Sequence, residues 1–122
     1  MLPFHTLHQI RNYYLYRPST DMRKSFNGLC GIISGQLGKN PLTGDLFIFF
    51  NKRRKQVKLL HWQGDGFVIY YKRLERGTFE LPRFEDDSTH RLLTVQDLML
   101  ILEGISLSSV RKRKRYQQFP VN

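Results

Sequence analysis

Between Lys52 and Pro82 the sequence KRRKQVKLLHWQGDGFVIYYKRLERGTFELP alternates apolar with polar or cationic side chains on either side of Gly64-Asp65-Gly66. Alternation at a period of two buries one face of a strand, and the Gly-Asp-Gly punctuation reverses the chain, so the stretch predicts an antiparallel hairpin. Lys52, Arg53, Arg54 and Lys55 open its first limb, and Lys72, Arg73 and Arg76 close its second. A ribbon charged in this way suits a run of phosphates. Lysines at a sheet edge also discourage edge-to-edge aggregation, so the pattern alone leaves both roles open.

The flanking segments supply the rest of a sheet. LFIFF after Asp45 is a continuous apolar run suited to a central strand, and Tyr13, Tyr14, Leu15 and Tyr16 form a first strand that Pro18 stops. Thr78–Leu81 is a fourth short strand of the region, ended by Pro82. Between the first strand and LFIFF, Met22, Phe26, Leu29, Ile33 and Leu37 recur at helical spacing, which predicts a helix over Asp21–Leu37 capped by Thr20. Gly28 and Gly31 inside it suggest close packing against the sheet. Thr94 with Asp97 resembles a capping box, and Val95, Leu98, Met99, Leu102 and Ile105 give a short closing helix an apolar face that Gly104 ends. The expected fold is α+β: an antiparallel β-sheet meander of four to five strands, a helix from the N-terminal half packed on one face, and a short C-terminal helix. Residues 1–106 form one domain on this reading, and residues 107–122 a basic, disordered tail.

Charge narrows the partners. Lys plus Arg number 20 against 10 acids, a net charge of +10, which points to nucleic acid or an anionic surface. Arg111, Lys112, Arg113, Lys114 and Arg115 account for five of those cations; the remaining 15 against 10 acids leave the body at +5. The single cysteine, Cys30, excludes an intramolecular disulfide and fits a reducing compartment, with its small apolar neighbours implying a buried thiol. No run approaches the roughly 18 to 20 apolar residues of a membrane span, and no signal-peptide layout opens the chain, so a cytoplasmic protein is expected.

Catalysis finds little support. Metal-dependent phosphodiester chemistry needs two or three carboxylates gathered round a pair of ions, whereas Glu85, Asp86 and Asp87 are adjacent and read as a solvated loop. His5, His8, His61 and His90 lack zinc-site spacing, so neither metal nor cofactor is expected. Strand alternation sends Trp62 to the core and His61 outward. Trp62, Tyr70 and Tyr71 are each candidates to stack on bases of a single strand. Arg23 and Lys24, at the opening of the predicted first helix, oppose its dipole; a polyanion contact explains that placement, and so does an ion pair of Arg23 with Asp21.

TDMRKSFNGLCGII at Thr20–Ile33, GDLFIFFNKRRKQVKLLHWQGDGFVIYYKRLERGTFELP at Gly44–Pro82 and LLTVQDLMLILEGI at Leu92–Ile105 together resemble the insertion sequence 66 Orf2 family, whose members are often called TnpB. The resemblance spans roughly residues 10 to 106 and leaves aside Met1–Gln9 and the basic tail. It implies a bacterial accessory protein encoded beside a DDE-type transposase. The expectation is therefore a non-catalytic transposition accessory protein that binds nucleic acid, or bridges the element's DNA and its transposase, through Arg23, Lys24, Lys52–Lys55, Lys72, Arg73, Arg76 and Arg111–Arg115. The alternative is an adaptor that docks on the transposase without touching DNA.

Overall fold

In a computed structural model, residues 9–84 and 86–103 are described. Tyr13–Tyr16 forms β1, and the chain then crosses over through helix α1, Phe26–Gly35, and a 3-10 turn at Pro41–Thr43 to β2, Leu46–Phe50. β3 (Gln56–Trp62) and β4 (Phe67–Arg73) follow as a hairpin, and β5 (His90–Leu93) leads into α2, Val95–Leu102. The spatial order is β4-β3-β2-β1-β5. The meander from β2 to β4 is antiparallel as expected. The sheet as a whole is mixed, because β1 and β2 run parallel with Tyr13 opposite Leu46. A helix between two strands returns the chain to the end from which it started, which is the connection that parallel pairing requires.

The strands bury both faces. Tyr13, Leu15, Leu46, Ile48, Phe50, Val57, Leu59 and Leu93 pack with Leu98, Ile101 and Leu102 of α2. Tyr16, Phe47, Phe49 and Leu60 pack with Leu29 and Ile33 of α1 and with Leu37. All five residues of β2 are buried, which explains its unbroken apolar run. Thr94 caps α2 by accepting the Asp97 N–H, the receiving half of the expected capping box. Ile105, Gly104 and the 107–122 tail lie outside the described residues.

Four expectations change. The first helix starts at Phe26, not Asp21, and ends at Gly35, with Ser25 at its N-cap. Thr20 instead extends the sheet by donating its N–H to the Phe50 carbonyl, and Asp21 accepts the Arg23 N–H. The carbonyls of Met22 and Lys24, which a helix would pair with amides four residues on, accept the Lys58 ammonium at 2.7 Å each. Met22 and Leu37 still pack on the core from the flanks, whereas Phe26 is 43% exposed. Gly28 meets the Lys24 side chain and Gly31 faces open space, so neither serves packing against the sheet.

Thr78–Leu81 is no strand; Phe79 plugs the core, and its N–H donates to the Arg54 carbonyl. The fifth strand is His90–Leu93, antiparallel to β1. His61 and Trp62 differ from expectation as well. Alternation from Leu59 places His61 on the α2 side, with its Nδ1 buried, while Trp62 is half-buried at the hairpin mouth with its ring 4.9 Å from that of Phe67.

Candidate nucleic-acid interface

Because β1 and β2 are parallel and β3 and β5 run against them, one end of the sheet gathers the end of β1, the turn into α1, the β2–β3 turn and the end of β4. The β2–β3 turn is tied by Asn51, whose side-chain oxygen accepts the N–H groups of both Lys55 and Gln56 while its amide donates to Gln56 Oε1. Asn residues hold turns in this manner, with the intervening side chains turned outward. Lys52, Arg53 and Arg54 are accordingly exposed, and Lys55 is half-buried. Arg54 has φ of 55°.

Opposite this turn runs Ser19–Arg23. A recess of about 650 Å³ lies between the two segments, lined by Ser19, Thr20, Asp21, Met22 and Arg23 on one side, Asn51, Lys52, Arg53 and Gln56 on the other, and by Tyr71. Arg23 is 92% exposed along its side chain and holds Asp21 in a forked pair, Nη2 to Oδ2 at 2.6 Å. Hydrogen bonds from Arg23 lower the Asp21 pKa to about 2. The recess therefore presents three cations and one carboxylate. Thr20, 4% exposed, is among its lining residues, and its hydroxyl is buried with no hydrogen-bond partner among the described residues.

Lys58 organises this end from within. It is 8% exposed, sits between Phe49 and Tyr71 in the sheet register, and places its ammonium 4.9 Å from the Tyr71 ring centroid. Its bonds to Met22 and Lys24 fasten the turn that carries Arg23. Beyond that turn α1 begins with no acidic residue in its first turn and no side-chain bond from Ser25. Its leading amides thus add positive potential beside Lys24.

The remaining expected cations divide. Arg73 lies opposite Gln56 and pairs with Glu75 at 3.1 Å, both exposed. Arg76 is exposed in the loop that Leu74 and Phe79 tie to the Lys55 and Arg54 carbonyls, so it joins the same end of the sheet. Lys72 does not: it faces α2 and donates to the Leu102 carbonyl at the end of that helix. Arg111–Arg115 lie outside the described residues. Arg17, absent from the expected set, also emerges at this end, with its guanidinium 5.6 Å from the Phe84 ring centroid.

Lys58 and Thr20 were missed because their roles depend on what covers the sheet. Asn51 before KRRK was a usable turn signal.

The opposite end holds a second recess of about 650 Å³ lined by residues that include Arg11, Asn12, Asp45, His61 and Trp62. Asp45 is engaged there by Asn12 and Thr43. Burial lowers the His61 pKa against a smaller opposing pull from the Gly44 backbone. Cys30 is half-buried rather than buried as expected, and what burial it has raises its thiol pKa. Among the described residues no group of three His, Cys, Asp or Glu could hold a metal ion, and no helix is long and apolar enough to cross a membrane.

The sequence model of the family described as IS66 Orf2 like protein matches residues 11–112. The chain belongs to the IS66 Orf2-like family. Similar proteins include the uncharacterized protein y4jC of Sinorhizobium fredii, 29% identical over 76% of this chain and 78% of that protein. The uncharacterized protein y4hO of the same organism is 34% identical over 70% of this chain and 73% of its own length. No solved structure matches the chain significantly. Membership in the IS66 Orf2-like family ties the chain to an accessory role in transposition of an insertion sequence. The matched span takes in both helices, all five strands and the basic recess, and it stops inside the Arg111–Arg115 block.

Proposed function

We propose that this IS66 Orf2-like protein is a non-catalytic transposition factor that holds the element's DNA at the basic end of its sheet, alone or together with a DDE-type transposase. The observation that carries the reading is the meeting of Arg23 with Lys52 and Arg53 around one recess, although they come from separate segments of the chain. Arg76 and the amides that open α1 extend the positive surface, Arg73 being offset by Glu75, and Arg111–Arg115 would add up to five further phosphate contacts. Arg54 supports it too. Its φ of 55° is costlier for arginine than for glycine or asparagine, and a cation at that turn position offsets the cost through polyanion contact.

Replacing Arg23, Lys52 and Arg53 together by Gln tests the reading in a titration of element-end DNA against salt. Each lost phosphate contact reduces the log-log slope by about 0.7 to 0.9, so the triple variant loses about 2 to 3. Lys72→Met, on the opposite face, leaves the slope unchanged. Absence of DNA binding by the unaltered chain at low salt, or an unaltered slope in the triple variant, removes the reading; retained capture of the transposase would then favour the adaptor.

A further inference from the structure

We infer that the nucleic acid taken by the basic recess is a single strand, one base of which stacks on Tyr71. The inference rests on the nucleic-acid reading above and names its ligand class.

Three aromatic side chains of the hairpin were candidates for stacking, and the structure separates them. Tyr70 faces the α2 core, and Trp62 packs on Phe67 at the far end of the hairpin. Tyr71 alone of the three lines the recess, and it is 51% exposed. Lys58 braces the ring from the neighbouring strand, so ordering it on a base loses little further freedom. Arg23 stands on one wall, Lys52 and Arg53 on the other.

That arrangement discriminates between forms of nucleic acid. A duplex keeps its bases paired and stacked inside and offers a protein its phosphates and groove edges, so a ring set between two cationic walls would meet no free base. A single strand can pass its phosphates along the walls while one base turns in onto the ring. One polar feature suits such a base. Gln56 has its oxygen engaged by Asn51 and, among the described residues, its amide nitrogen is free to donate.

Fluorescence anisotropy of the full chain with a labelled oligothymidylate and with a duplex of equal length tests the inference. The single strand should bind more tightly. Tyr71→Ala should weaken it by about 5- to 150-fold, the equivalent of one stacked base, with little effect on the duplex, and Tyr71→Phe should restore binding. Tyr71→Trp supplies an independent readout should the alanine variant fold poorly: its added emission is quenched by the bound strand, while that of Trp62 in the unaltered chain is not. Equal affinity for both forms, with Tyr71→Ala silent and the triple cation variant still weakened, overturns the stacked single strand but leaves nucleic-acid binding standing. No binding of either form overturns both.

Discussion

Arg54 shows a single residue serving two demands that conflict. Its φ of 55° is the one positive value at a non-glycine position among the described residues, and an L side chain there is strained by roughly 1 kcal/mol or more relative to glycine. The position is fixed from both sides, since its N–H donates to the Asn51 carbonyl and its own carbonyl accepts from Phe79. Arg54→Gly should therefore raise stability by about 0.5 to 1 kcal/mol, the strain relief being partly offset by the greater freedom of glycine in the unfolded chain. The same change removes a cation from the basic end and should weaken polyanion binding several-fold. Urea denaturation and anisotropy on one preparation check both signs. Lower stability in the glycine variant would show that the side chain supports the turn, and the functional explanation of the strain would fail.

At the scale of elements, legibility followed the reach of the pattern. Period-two alternation and the glycine turn located the β3–β4 hairpin, and the apolar run located β2, because these signals are carried by residues whose neighbours are close in sequence. The start of α1 was misplaced because its cause lies far away. Lys58, on β3, takes the Met22 and Lys24 carbonyls and so stops helix from forming where the Met22-Phe26-Leu29 spacing invites it. β5 was unreadable for a related reason: HRLL is too short to show a period, and only its pairing with β1 makes it a strand. The candidate site shares this limit. Its cations could be named from sequence, but their division into Arg23, Lys52 and Arg53 at one recess and Lys72 beneath α2 depends on register.

Lys58→Met tests the long-range link directly. Hydrogen bonds to a charged group contribute about 1.5 to 3 kcal/mol, so the variant should lose stability on that order. Amide exchange should rise at residues 22–25 more than in β2. Unchanged protection there would mean that Asp21 alone holds the turn.

Across the whole molecule, titration separates the packing of the sheet from the chemistry of its basic end. Burial lowers the pKa of His61 on the α2 face; burial and, less, Lys39 lower that of His90 on the α1 face. For each, the unfolded chain binds a proton more readily than the folded one. Stability is therefore complete above the unfolded histidine value of about 6.5 and declines as pH falls through it towards the lower folded values. Asp21 acts in a separate window. Its pKa of about 2 lies below the unfolded carboxylate value, so its contribution persists above about 4 and disappears only as pH falls towards 2.

Between pH 7.5 and 5.5 the urea midpoint should accordingly fall through His61 and His90, while Asp21 and its hold on Arg23 stay intact. His61→Leu removes one of these two titrations and also the buried Nδ1, which has no hydrogen-bond partner among the described residues. The leucine variant should show a shallower pH dependence and exceed the parent in stability at pH 5.5, with the His90 part of the slope retained. A midpoint that rises on acidification, or a slope that His61→Leu leaves untouched, would mean that the imidazole is solvated rather than packed against the α2 face of the sheet.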